Sequence, residues 1–106
     1  MRVMMKVNIP VENGNEAVRK GVLGSTMQKI LATLKPEAAY FSEDNGMRTG
    51  FIFFDMTDSS QLPAIAEPWF LAFNATVTVK PVMNAADLEK AAPSMDHAAK
   101  TFGATA

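Results

Sequence analysis

The stretch from Phe41 to Met56, FSEDNGMRTGFIFFDM, limits the possible folds of this chain more than any other segment. Its Asn45-Gly46 pair is one of the strongest short signals for a β-hairpin, because both residues tolerate the positive φ angles of a type I′ turn. The aromatic and β-branched run that begins at Thr49 is typical of a strand covered on both faces. Such a strand lies in the middle of a sheet, and we expect the fold to be built around it.

Three further segments are predicted to be strands, and a long helix is predicted between the first two. Alternating or β-rich patterns predict strands over residues 2–9, 37–43 and 75–82. Apolar residues at helical spacing predict a first helix over residues 14–34. Asn13 and Glu16 match a capping box at the start of this helix.

Two more helices are predicted after the hairpin. A capping box at Asp58 opens the second helix. Pro68 lies near the end of this helix, and we expect a kink or a stop of the helix just before that proline. Asn84 is predicted to cap a short third helix over residues 87–91. Pro93 is predicted to end that helix.

The element order is therefore βαββαβ followed by a helical tail. Because βαβ crossovers are right-handed, both main helices are expected on one face of a four-stranded antiparallel sheet. The sequence predicts a single α+β, ferredoxin-like domain over residues 1–106, in which residues 84–106 form a C-terminal helix and tail.

Composition narrows the classes of function. The chain has 106 residues, of which 20% are charged, and a formal net charge of −1 without a cluster of Lys or Arg, so we expect no nucleic-acid partner. It has no cysteine and one histidine, His97, so we expect no metal or cofactor site. No apolar stretch reaches the ~20 residues of a membrane span, so we expect a cytoplasmic protein without a membrane partner.

The alternation along the strands also assigns residues to two sheet faces. The face expected beneath the helices consists of Val3, Met5, Val7, Ile9, Tyr40, Phe51, Phe53, Val77 and Val79. The face expected to be open consists of Met4, Lys6, Asn8, Phe41, Arg48, Ile52, Phe54, Thr76, Thr78 and Lys80. Because large apolar residues in water usually mark an interaction site, we expect two copies to pair through the open face as a homodimer.

A ferredoxin-like domain that covers its open face with a second copy resembles the dimeric α+β barrel superfamily. The matching features are the first strand in MRVMMKVNIPVE, the FFDM that ends the third strand, Pro68-Trp69-Phe70, and the fourth strand VTVKPVM. They extend over residues 1–90 and are most similar to muconolactone isomerase-like and antibiotic-biosynthesis-monooxygenase-like members. The resemblance implies a dimeric barrel, in a superfamily that includes isomerases and cofactor-free oxygenases. The histidines that haem-degrading and YCII-related members use have no counterpart in the main helices or strands.

Tyr40 and Asp55 are the candidate catalytic residues. Both are expected on the helix side of the sheet, where Asp55 would act as a base or orienter and Tyr40 as an acid or hydrogen-bond donor. Trp69 is a candidate for the wall of the same pocket. The alternative is structural: Asp55 solvates a strand end, and Tyr40 and Trp69 are core aromatic residues.

Five polar residues on the expected open face could bind an anionic ligand: Lys6, Asn8, Arg48, Thr78 and Lys80. The first three are the candidates for ligand binding. They could instead pair with carboxylates such as Glu43 across the dimer, which is the commoner outcome.

Two functions follow from these observations. The first is a cofactor-free isomerase or monooxygenase that acts on a small organic molecule. The alternative is a non-catalytic module that binds a small ligand or another protein. A sealed core beneath the helices would oppose the first, and a cavity with Tyr40 and Asp55 at its wall would oppose the second.

Overall fold

The computed structural model describes residues 1–103, within which four strands form one antiparallel sheet. The strands are β1 (Arg2–Ile9), β2 (Ala38–Asp44), β3 (Met47–Asp55) and β4 (Thr76–Pro81), in the spatial order β2-β3-β1-β4. The helices are α1 (Val11–Arg19), α2 (Leu23–Leu34), α3 (Leu62–Phe73) and α4 (Ala85–Phe102), and a 3₁₀ turn over Ser59–Gln61 leads into α3. The predicted α+β, ferredoxin-like fold with a four-stranded antiparallel sheet is confirmed.

The β2–β3 hairpin forms as the sequence predicts. Asn45 and Gly46 have φ angles of 53° and 77°, the positive values that a type I′ turn requires. This turn sets Asp44 opposite Met47, and the rest of the hairpin register follows from that pair. The hairpin therefore places β3 between β1 and β2, at the centre of the sheet.

The single helix predicted over residues 14–34 is wrong, because two helices occupy this segment. α1 begins directly after Pro10, whose φ of −54° suits a helix entry, so Asn13 lies inside the helix and does not cap it. Gly21 has a φ of 69°, which lies outside the helical region, so the helix is interrupted there before α2 begins.

Internal prolines do not end the later helices. α3 continues through Pro68 to Phe73, so a stop at Pro68 is wrong, while a kink there stays a prediction. α4 is 18 residues long and continues through Pro93, so the predicted end at that proline is wrong. The predicted cap is correct, since Asn84 accepts a hydrogen bond from the backbone N–H of Asp87 at 2.8 Å. No helix of residues 1–103 is long and apolar enough to cross a membrane.

The predicted faces are correct for β1 and β4 but reversed for the hairpin. Val3 pairs with Phe54 and Met5 with Ile52, so these four side chains share the face beneath the helices. Ile52 and Phe54 are 0% and 2% exposed, and they belong to one core with Trp69. The register of the hairpin is fixed by its own turn. The register of β1 against β3 depends on tertiary packing, because α1 and α2 separate these strands in the sequence, and the sequence alone therefore does not decide which side of the hairpin is buried.

We call the opposite side of the sheet the open face. It includes Met4, Lys6, Asn8, Tyr40, Asp44, Thr49, Phe51, Phe53, Thr76, Thr78 and Lys80. Tyr40, Phe51 and Phe53 thus lie on this face, contrary to the prediction. Phe51 and Phe53 are half-buried, and Tyr40 is 66% exposed.

Candidate functional site

A groove of about 480 Å³ lies between α2 and α3, beside the end of β3. Its walls are mainly apolar, with Ile30 and Leu34 from α2 facing Ile65 and Pro68 from α3. Both helices present apolar residues at helical spacing toward the sheet, and the groove forms where these stripes separate. We call this space the α2–α3 groove.

Polar groups surround the α2–α3 groove. Lys29 and Thr33 come from α2, Asp55 from the end of β3, and Gln61 from the 3₁₀ turn. The side-chain Oε1 of Gln61 accepts hydrogen bonds from the backbone N–H groups of Thr57 and Asp58 at 2.9 and 3.2 Å. These two bonds fix the position of the Gln61 side chain. Its Nε2 group is therefore the part of Gln61 that can donate to a ligand.

Asp55 joins the α2–α3 groove to a second, more polar groove. The second groove has a volume of about 360 Å³ and is lined by Arg2, Glu37, Asp55, Asn84 and Asp87. An ion pair between Arg2 and Glu37 raises the pKa of the Arg2 guanidinium. The Asp55 carboxylate itself accepts a hydrogen bond from the Met1 amino group at 2.7 Å. Both groups are more than half exposed, so this pair adds little stability.

The structure does not bring the two candidate catalytic residues together in one copy of the chain. Tyr40 is on the open face opposite Phe51, whereas Asp55 lines the α2–α3 groove four residues further along β3. Four residues of a strand correspond to roughly 13 Å. The prediction that Tyr40 lies beneath the helices is therefore wrong, and the catalytic role of each residue stays a prediction.

Trp69 lies in the core. Its side chain is 1% exposed, and its ring centroid is 6.1 Å from that of Phe73. Its indole Nε1 is buried without an acceptor among the described residues. This position agrees with the structural alternative for Trp69, and the residue does not line the α2–α3 groove.

Lys6 and Asn8 belong to a polar cluster on the open face. The Lys6 ammonium and the Asn8 amide both approach the Asp44 carboxylate, at 3.2 Å each, and the Asn8 amide also donates to Thr49 Oγ1 at 2.8 Å. Hydrogen bonds from Lys6 and then from Asn8 lower the pKa of Asp44. Within one copy, the carboxylate partner of this cluster is therefore Asp44.

Arg48 lies beneath the helices, not on the open face as predicted. Its Nη1 donates to Asn15 Oδ1 at 3.1 Å, which links β3 to α1. Gly14 gives the guanidinium room, since a Cβ at that position would lie 2.6 Å from Nη1. A smaller groove of about 340 Å³ beside Arg48 is lined by apolar side chains that include Met27 and Phe41.

Sequence reasoning missed Lys29, Thr33 and Gln61 as candidate ligand contacts. Lys29 and Thr33 flank the apolar stripe of α2, and Gln61 belongs with Asp58 to the capping box before α3. No local pattern indicates which helix flank meets another, because that depends on how α2 and α3 pack.

One known family matches most of the chain. A family model described as a domain of unknown function, DUF3303, matches residues 1–96. The chain belongs to the DUF3303 family. No curated protein matches this DUF3303 chain. Among solved structures, a de novo designed protein named Ferredog-Diesel is similar with a TM-score of 0.45 and 9% identity. That alignment covers 76% of this chain and 85% of the designed one, and the likeness is too weak to carry a conclusion.

Proposed function

We propose that the protein binds a small organic molecule in the α2–α3 groove without converting it. The observation that carries this proposal is the groove itself, with about 480 Å³ of space, an apolar wall and a few polar groups at its rim. Small-molecule sites in proteins commonly combine these features in volumes of roughly 300–1,000 Å³.

The side chains of the groove indicate the chemistry of the ligand. Ile30, Ile65 and Pro68 would contact an apolar body. Lys29 offers an ammonium group to an acceptor or an anionic substituent, and Asp55 accepts from a donor. The proposed ligand is therefore an amphipathic molecule with a polar group at one end.

The isomerase or monooxygenase interpretation remains the alternative. It uses Tyr40 and Asp55 in a single site, and their separation within one copy favours binding over catalysis. Neither function in this proposal uses a cofactor. A reaction of the bound ligand, detected by mass spectrometry after incubation with the protein, would support the alternative.

A thermal-shift screen with matched groove variants tests the binding proposal. Ala64 lines the groove and is exposed, so Ala64→Phe fills the site without removing a core contact. Ala72→Phe, on an exposed part of the same helix outside the groove lining, is the control. At a concentration of 100 times its Kd, a ligand stabilises the wild type and Ala72→Phe by about 2.7 kcal/mol. Ala64→Phe should lose this shift.

Two results would contradict the binding proposal. Ligands that stabilise Ala64→Phe as strongly as the wild type bind elsewhere. A ligand whose shift disappears in Tyr40→Phe but persists in Ala64→Phe would move the site to the open face and favour the catalytic alternative.

We also propose that the protein pairs with a second copy through the open face. Its aromatic residues Phe51 and Phe53 are only half-buried in one copy, and Tyr40 is 66% exposed. Two-fold pairing would cover this face, and it is the commonest closed arrangement of identical chains. Asp44 already neutralises the charge of Lys6 within one copy, which limits the free-energy cost of burying Lys6 between two copies.

Sedimentation equilibrium tests the homodimer. Phe53→Asp places a charge on the open face and should give a monomer at micromolar concentration. Phe70→Asp is the control, since Phe70 is 41% exposed on α3, away from that face. A wild type that is monomeric at micromolar concentration would contradict the proposal.

A further inference from the structure

The last helix extends away from the rest of the chain. None of the 18 residues of α4 is buried. The radius of gyration is 17.9 Å, compared with roughly 13 Å for a compact domain of this length. The longest dimension of the chain is 61 Å, twice the next one of 30 Å. α4 therefore accounts for a projection that the sheet and the other helices do not cover.

A projecting helix of this length and sequence needs a covering surface. Isolated helices gain little stability from backbone hydrogen bonds alone, and most of the helical stability in proteins comes from packing of an apolar face. Pro93 also removes one backbone donor from the middle of α4. The capping box at Asn84 and Asp87 stabilises only the first turn.

α4 carries an apolar stripe of the kind that packs against another protein surface. Its members are spaced alternately three and four residues apart: Leu88, Ala91, Met95, Ala98 and Phe102. This is the spacing of the two core positions of a heptad repeat. Leu88, Met95 and Phe102 are 48%, 56% and 77% exposed.

We infer that the α4 stripe packs against a second copy of this chain. The inference deepens and rests on the homodimer proposed above, in which it adds α4 to the contact between copies. Because a two-fold pair uses each contact twice, both projecting helices are covered in one closed assembly.

The area of the contact favours a second copy that touches both surfaces. Four strands 4.8 Å apart and about seven residues long give the open face a footprint of roughly 440 Å². A standard interface buries about 800 Å² of accessible surface on each partner; accessible surface exceeds flat footprint, so the open face alone gives a contact at the small end of this range. α4 is roughly 27 Å long and 10 Å wide, and its footprint raises the total to roughly 700 Å². With α4 included, the contact approaches the size of a stable dimer.

The test compares two charge substitutions on α4 in the full-length protein by sedimentation equilibrium. Met95→Asp places a carboxylate in the stripe, and His97→Asp places one on the opposite side of the same helix, only two residues away. We expect Met95→Asp to raise the dimer Kd at least about tenfold, as loss of a buried interface contact does, and His97→Asp to leave it unchanged. Far-UV circular dichroism of the wild type should also lose helical signal as dilution separates the copies.

The outcomes separate this inference from the homodimer proposal. If Phe53→Asp is monomeric while Met95→Asp pairs as tightly as the wild type, the α4 inference is overturned and the open-face homodimer stands. If Met95→Asp dissociates while Phe53→Asp remains paired, the α4 inference is supported and the open-face contact is overturned. A monomeric wild type overturns both. A helical signal that stays unchanged while the copies dissociate, in a protein whose Met95→Asp variant pairs normally, overturns the α4 inference alone.

Discussion

Phe53 and Phe54 are adjacent in β3 but lie on opposite sides of the sheet, and this gives a sharp test of the core. Phe54 is 2% exposed and pairs with Val3 beneath the helices, so Phe54→Ala leaves a cavity that should cost about 3–5 kcal/mol. Phe53 is only half-buried in one copy, and Phe53→Ala should cost about 1 kcal/mol there. At about 4 °C for each kcal/mol in a chain of this size, Phe54→Ala lowers the Tm by roughly 12–20 °C.

Urea unfolding, followed through the fluorescence of the buried Trp69, measures both free energies. The experiment is done at nanomolar protein concentration, so that any contact between copies does not add to the stability of Phe53. Equal losses from Phe53→Ala and Phe54→Ala would refute the assignment of Phe54 to the core. A larger loss from Phe53→Ala would show that the two sheet faces are the reverse of those described.

Three further outcomes follow from local geometry. Gly21→Ala should destabilise the protein by about 1–2 kcal/mol, because a φ of 69° disfavours any Cβ. Gly24→Ala should stabilise the protein by about 0.5–1 kcal/mol, because Gly24 lies inside α2 with open space around it. Equal effects of the two substitutions in urea unfolding would contradict this reasoning. The pKa of Asp44 is lowered by hydrogen bonds from Lys6 and then Asn8, so its stabilising effect is present above pH about 4 and is lost as the pH falls through its folded pKa. Asp44→Asn should flatten the dependence of Tm on pH in that acid range, and an unchanged acid profile would rule out this role. Asn84→Ala should lower the helical circular dichroism signal and cost about 0.5–2 kcal/mol, whereas Asn84→Ser should keep most of both.

Local chemistry accounts for the parts of the fold that the sequence predicts correctly. The turn at Asn45-Gly46 and the cap at Asn84 depend on residues within a few positions of each other, and both form as expected. The period of two along β1 and β4 likewise assigns their faces, since the apolar side of each strand is buried or half-buried. These features need no information from distant parts of the chain.

The errors occur where distant segments decide the outcome. The predicted side of the sheet is wrong for Tyr40 and Phe51, because the register of β3 against β1 depends on how the two intervening helices pack. Pro93 does not end α4, since one missing hydrogen bond is tolerated where the surrounding turns continue. The α2–α3 groove has no local signature, and only the fold places Lys29 near Asp55.

The sheet order has a consequence for aggregation. β2 and β4 are the two edges, and unprotected edges can recruit strands from other molecules into fibrils. The N–H of Val82 bonds to Arg2 at 3.2 Å, so by alternation the nitrogen of Pro81 points outward, where it has no hydrogen to offer an incoming strand. The other edge ends in the charges of Glu43 and Asp44, which oppose close approach of a like strand. The same chain can therefore leave one broad face available for contact while resisting strand-by-strand growth at its borders.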